Sequence, residues 1–192
     1  QHGENVPVYR LIETLWSGEG SSNPESALKT LVSRLRVILA QVSPALAACI
    51  VTERGSYRWV TQPGVSIDLY EFEELEKRLS TCTELTEESQ RDYQRALSLY
   101  GGNLLQGSEE EWALSRSATL HASFLKLVYQ YLTLLKAAER YNEIIDVCRA
   151  ALDVDAFDET LHLQLMNALV KTCRNNEALM QYKHVTNLHF RY

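Results

Sequence analysis

The sequence predicts a mainly α-helical chain of two modules: a front in which helices lead into a β-hairpin, and a back of successive helix pairs. Three observations carry this reading. Only eight glycines and four prolines interrupt 192 residues, of which 45% are hydrophobic, so long helices joined by short connections are expected. The apolar residues recur mostly with the helical period, except for two short β-rich runs around Gly55-Ser56. The back half repeats itself with an offset of 34 residues.

The first helix is expected over residues 7–16 (PVYRLIETLW), where Val8, Leu11, Ile12, Leu15 and Trp16 share a face. Gly18 and the Gly20-Ser21-Ser22 cluster end it. Asn23-Pro24-Glu25 opens a second helix with an N-cap side chain, a proline at the first helical position and a carboxylate near the positive end of the dipole. That helix is expected over residues 24–40. At 100° per residue, Leu28, Leu31, Val32, Leu35, Ile38 and Leu39 fall in one apolar arc, with Ser26, Lys29, Thr30 and Ser33 opposite and Arg34 and Arg36 at the flanks. A polar centre with cations at its rims suits a helix laid in a DNA major groove, with base edges at the centre and phosphates outside, although a solvated surface helix has similar composition. Residues 49–54 (CIVTER) and 57–61 (YRWVT) then read as a hairpin turning at Gly55-Ser56, with Arg54 and Arg58 at its tip. Helices followed by such a hairpin give the order of a winged helix, and the hairpin arginines suit the minor groove or its phosphates.

The back module begins near residue 66. Asp68-Leu69-Tyr70 leads into EFEELEKRL, Thr86 caps EESQRDYQRALSLY, and Gly101-Gly102 stops that helix. Ser108 with Glu111 reads as a capping box before a long helix running from near Trp112 to about Lys136. Arg140-Tyr141-Asn142-Glu143-Ile144-Ile145 returns 34 residues later as Arg174-Asn175-Asn176-Glu177-Ala178-Leu179, the period of the tetratricopeptide repeat. In that register Leu135 pairs with Leu169, Cys148 with Tyr182 and Ala151 with Val185. The first helix of each pair in such repeats lines a concave groove, which assigns Lys126, Tyr129, Thr133, Lys136, Leu163, Asn167 and Lys171 to a partner-binding face. Tyrosine and lysines there suit an acidic or amphipathic peptide.

The segments NPESALKTLVSRLRVIL, IVTERGSYRWV and VSIDLYEFEEL resemble the DNA-binding half, and the junction after it, of SARP-type bacterial transcriptional regulators, whose winged helix is of the OmpR/PhoB kind. LYGGNLLQGSEEEWAL, RYNEIIDVCRAALDVDAFDETLHLQLMNAL and NNEALMQYKHVTNLHFRY resemble the bacterial transcriptional activator domain that follows it. The resemblance implies a winged-helix domain over residues 1–65 and a tetratricopeptide-like domain over residues 66–192. It further implies that Lys29, Thr30, Ser33, Arg34 and Arg36 face double-stranded DNA while Arg54 and Arg58 act from the wing. Members of the family place a small sheet and a first helix ahead of the segment matching residues 7–16, and the residues before it are too few for either. An incomplete winged helix is therefore expected, with part of the apolar arc of the second helix uncovered. Family members also continue past the position of Tyr192.

Charge and chemistry bound the function. Residues 1–65 hold six Lys/Arg against five Glu, a balance of +1, so the whole-chain charge of −6 leaves −7 on the remainder. That argues against indiscriminate coating of nucleic acid and for two modules with different partners. The longest uninterrupted apolar run, residues 45–51, is far short of the roughly 20 residues of a membrane helix. Cys49, Cys82, Cys148 and Cys173 lack zinc-site or disulfide-scaffold spacing and read as reduced thiols of a cytoplasmic protein. There is no phosphate loop, no His-Glu-x-x-His and no nucleophile setting, and His2, His121, His162, His184 and His189 lack metal spacing. A non-enzymatic protein without metal or cofactor is expected: a sequence-specific transcriptional activator whose repeats support homodimerisation or contact the transcription machinery or a regulatory protein. The rival reading is an interaction adaptor whose winged helix no longer binds DNA.

Overall fold

The computed structural model describes residues 3–16 and 23–189. The chain divides into two compact units, Gln1–Tyr70 and Glu71–Tyr192. The expected boundary at 65/66 lies in the connection ahead of the helix in which this division falls.

In the first unit, β1 (Val6–Pro7) leads into α1 (Val8–Leu15), followed by α2 (Pro24–Val42), α3 (Pro44–Ala48), β2 (Ile50–Glu53) and β3 (Ser56–Trp59). The Asn23 side chain accepts from the Ser26 N–H at 3.1 Å, and Pro24 stands at the start of α2, as its sequence predicts. Ser43 and Pro44 repeat the device for α3. The sheet is antiparallel in the order β1-β3-β2, with Val6 opposite Tyr57 and Ile50 opposite Trp59. The hairpin turns one residue earlier than expected, at Arg54-Gly55, and Gly55 takes φ +79°, where a Cβ would be strained. Strand β1 is not foreseen in the sequence: Pro7, expected inside the first helix, pairs with Ser56. The glycine-serine stretch expected to end α1 lies in residues 17–22, outside the described residues.

The apolar arc of α2 is only partly buried. Leu28 and Val32 are core residues and Leu39 is half-buried, whereas Leu31 and Leu35 are exposed and Ile38 is 59% exposed. Leu31, Leu35 and Ile38 thus form an exposed apolar side of α2.

The second unit is a run of helices: α4 (Asp68–Leu79), α5 (Glu87–Leu99), α6 (Glu111–Ala137), α7 (Tyr141–Val154), α8 (Glu159–Lys171) and α9 (Asn175–His189). Its core joins Tyr93 of α5 to Tyr131 of α6 in a ring stack with centroids 4.6 Å apart, and Tyr100 to Phe124 at 4.5 Å. Thr86 caps α5 through a reciprocal bond pair with Ser89. Ser108 does not form the expected box: α6 starts at Glu111 with Glu110 as N-cap and no side-chain cap. The helix begins two residues too late for Ser108 to serve as its N-cap, and the serine hydroxyl instead accepts from the Glu110 N–H at 3.4 Å.

The 34-residue echo has a physical content. Arg140 pairs with Glu143 through its Nε, and Arg174 pairs with Glu177 at 2.7 Å, so each helix opens on the same i,i+3 ion pair. The preceding residues, Glu139 and Cys173, both adopt left-handed backbone, φ +56° and +57°. In both places the next N–H reaches back to close the previous helix, Arg140 N–H to Leu135 O at 2.9 Å and Arg174 N–H to Leu169 O at 2.8 Å. Leu135, Leu169, Cys148 and Ala151 are buried as the register requires. Tyr182 is exposed and Val185 half-buried, since among the described residues α9 packs chiefly on α8.

A glycine suits the left-handed position better than the cysteine there, since the conformation costs a non-glycine residue about 1–2 kcal/mol, against about 0.5–1 kcal/mol of extra chain entropy for glycine. Cys173→Gly is therefore expected to raise stability by about 0.5–1 kcal/mol. An upward shift of the urea midpoint at unchanged slope checks this, and a lower midpoint contradicts it.

Candidate nucleic-acid interface

The exposed side of α2 carries two adjacent rows at i,i+4 spacing, Lys29 with Ser33 and Thr30 with Arg34, and all four residues are exposed. Lys29 and Arg34 have no ion pair among the described residues, so their charges are available. The Thr30 hydroxyl donates to the Ser26 carbonyl at 3.0 Å, which leaves its oxygen lone pairs as acceptors. Thr30 and Arg34 also border the uncovered apolar side, where with Trp16, Leu31, Leu35 and Ile38 they line a groove of about 710 Å³.

Arg36, expected at the flank of the same polar face, is turned to the hairpin instead. Its Nη2 donates to the Ile50 carbonyl at 2.7 Å and the Thr52 hydroxyl at 2.8 Å. Helical periodicity gives the direction of a Cβ, but a guanidinium reaches several ångströms further and finds whichever acceptors lie within range. At the hairpin tip, Arg54 is exposed and without an ion pair among the described residues. Arg58 is half-buried and paired with Glu53 at 2.7 Å, so a phosphate would have to compete with a carboxylate for it. Glu53 also accepts from the Asn5 amide at 3.3 Å, which is one way the residues ahead of α1 support the hairpin. Of the candidate cations, Lys29, Arg34 and Arg54 thus have no ion pair among the described residues, and Ser33 and Thr30 are neutral polar groups beside the first two.

The residues assigned to a partner groove are divided in a similar way. Lys136 on α6 and Leu163, Asn167 and Lys171 on α8 are exposed. Lys126 is ion-paired with Glu76 of α4 at 3.1 Å, and the exposed Thr133 returns its hydroxyl to the Tyr129 carbonyl. The Tyr129 hydroxyl donates to Asp158, whose other oxygen caps α8 by accepting from the Leu161 N–H at 2.8 Å. This bond brings the start of α8 against the middle of α6, so the two rows lie on neighbouring helices. Burial, then the Asp158 carboxylate, pushes the Tyr129 phenol up to about 12. Burial likewise pushes the Cys148 thiol up to about 12, which keeps it an inert core thiol. All four cysteines are free. Among the described residues no group of three or more His, Cys, Asp or Glu side chains is placed to hold a metal ion, and no helix is long and apolar enough to cross a membrane.

Tyr129→Phe should lower stability by about 1.5–3 kcal/mol, the worth of a hydrogen bond to a charged acceptor. The pH dependence follows from the raised value. The unfolded phenol ionises near its ordinary 10 and the folded one near about 12, so the wild-type contribution is complete below pH 10 and lost as pH rises between them. The stability gap between wild type and Tyr129→Phe in urea titrations should therefore shrink over that window. A gap that widens there would contradict the assignment.

Set beside known proteins, residues 67–189 match the family described as the bacterial transcriptional activator domain. Among solved structures the chain is similar to Mycobacterium tuberculosis EmbR, determined in complex with a low-affinity phosphopeptide, with 97% of this chain aligned to 50% of that one at 20% identity and a TM-score of 0.68. The chain spans half the length of that structure, and the likeness is one of fold. No curated protein matches it in sequence.

Proposed function

Because this chain belongs to the family of bacterial transcriptional activator domains, we propose that it is a sequence-specific DNA-binding transcriptional activator acting in the cytoplasm. Helix α2 lies in the major groove, and the hairpin rests on the adjacent minor groove or its backbone. The helical repeats support dimerisation or contact the transcription machinery or a regulatory protein. The observation that carries the reading is the outward side of α2, where Lys29 and Arg34 flank Ser33 and Thr30 with no ion-pair partner for either charge among the described residues. Arginine and lysine read guanine edges or hold phosphate, and the short hydroxyl side chains accept or donate to either. Arg54 at the hairpin tip, exposed and without an ion pair among the described residues, supplies the second anchor.

The repeats suit a second partner. Lys136, Lys171, Asn167 and Leu163 offer cations and one apolar side chain on neighbouring helices, which favours an acidic or amphipathic segment.

The test is retention of a genomic fragment pool by the full protein across a salt series from about 50 to 200 mM, beside Lys29→Ala and Arg34→Ala. Wild type should retain a selected subset. Each variant should bind about 5–20-fold more weakly, with a salt slope shallower by about 0.9 for each phosphate that the protein no longer neutralises. Unchanged retention in both variants would reject this face. A folded wild type that retains no fragment would favour the adaptor reading, in which the repeats alone hold a partner.

A further inference from the structure

Arg36 stands on the helix proposed to enter the major groove, yet it spends its guanidinium on the hairpin. We infer that Arg36 is a positioning residue: it fixes the hairpin against α2 so that Arg54 and the α2 side chains reach one duplex together. The functional half of this role rests on the DNA-binding reading, while its structural half stands without DNA.

The geometry is specific. One guanidinium nitrogen reaches two acceptors on β2, the Ile50 carbonyl at 2.7 Å and the Thr52 hydroxyl at 2.8 Å. Ile50 opens β2, and Thr52 stands two residues before Arg54. The bonds therefore hold both the root of the strand and a point close to the tip. Between α2 and β2 the chain passes only through Ser43, α3 and Cys49, whose buried thiol donates to the Ala45 carbonyl at 3.3 Å. That connection fixes where the hairpin starts, and β1, with the Val8 N–H on the Gly55 carbonyl at 2.9 Å, ties β3 and the turn to α1, but neither ties the β2 edge to α2. A planar group of fixed shape on two acceptors supplies that tie. Lysine cannot replace it, since both bonds leave the terminal Nη2, whose two N–H groups point at fixed angles in the guanidinium plane, whereas an ammonium ends a shorter stem and rotates about it.

A direct phosphate contact and a brace make opposite predictions for the conservative variant. Lysine rescues a phosphate contact, and alanine there makes the salt slope shallower by about 0.9. For a brace, Arg36→Lys should fail as Arg36→Ala does, each weakening binding of the fragments retained by wild type about tenfold, with the salt slope unchanged. Thr52→Val should weaken binding by about threefold, and adding it to Arg36→Ala should cost less than it does alone, because the two changes remove one interaction. In the protein without DNA, amide exchange in β2 and β3 should quicken about tenfold in Arg36→Ala, while exchange in α6 to α8 stays as in wild type.

Wild-type affinity in Arg36→Lys, a shallower slope in Arg36→Ala, or unchanged exchange in β2 and β3 would each overturn the inference. Should wild type retain no DNA, the exchange experiment still decides whether Arg36 holds the hairpin, so failure of the brace and failure of the DNA reading are separately visible.

Discussion

A helix of 19 residues can bury one stripe, and in the first unit the stripe centred on Leu28 and Val32 of α2 decides what every other surface of that helix is free to do. With those two residues in the core, Arg36 falls at the edge of the buried side, where its charge is satisfied by the hairpin. Lys29 and Ser33 fall outward, Thr30 and Arg34 beyond them, and Leu31, Leu35 and Ile38 on the uncovered apolar flank. A rotation of the helix by one residue would bury a charge or expose the core, costs of several kcal/mol, so the outward set is fixed by packing rather than by anything it binds.

The second unit is governed by a different local constraint, repeated. A left-handed residue ends one helix, an arginine follows, and a glutamate three residues on pairs with it as the next helix starts. Each copy reverses the chain within a few residues and lets buried leucines meet from consecutive helices, Leu135 before the first turn and Leu169 before the second. Both ion pairs also reach beyond their own helix: Arg140 donates to Gln90 of α5 at 2.8 Å, and Glu177 accepts from Arg149 of α7 at 2.8 Å. Surface ion pairs of this kind are individually weak, and their value here lies in fixing the register of neighbouring helices rather than in stability.

Much of the fold is legible in the residues because the signals are local. Asn23-Pro24, Thr86 and the 34-residue echo each mark a turn or cap by residue type, and the hairpin follows from β-rich runs around a glycine. Strand β1 is not legible, since two residues make no period and the pairing of Val6 with Tyr57 spans most of the unit. The left-handed positions are hidden because Glu139 and Cys173 occupy places where glycine would have announced them. Of the candidate interface, periodicity finds the outward side of α2 but cannot tell which cations have internal partners. Arg36, Arg58 and Lys126 read as available in the sequence, and each is held by an acceptor that helical spacing does not reveal.

The decisive measurement is a structure of the full protein bound to a duplex that it selects. It should show α2 in a major groove with Lys29, Ser33 and Arg34 at base edges or phosphates, Arg54 on the neighbouring backbone or minor groove, and Arg36 still bonded to Ile50 and Thr52. A duplex bound elsewhere, or an Arg36 released from the hairpin to touch DNA, would contradict the role assigned to α2 and its brace.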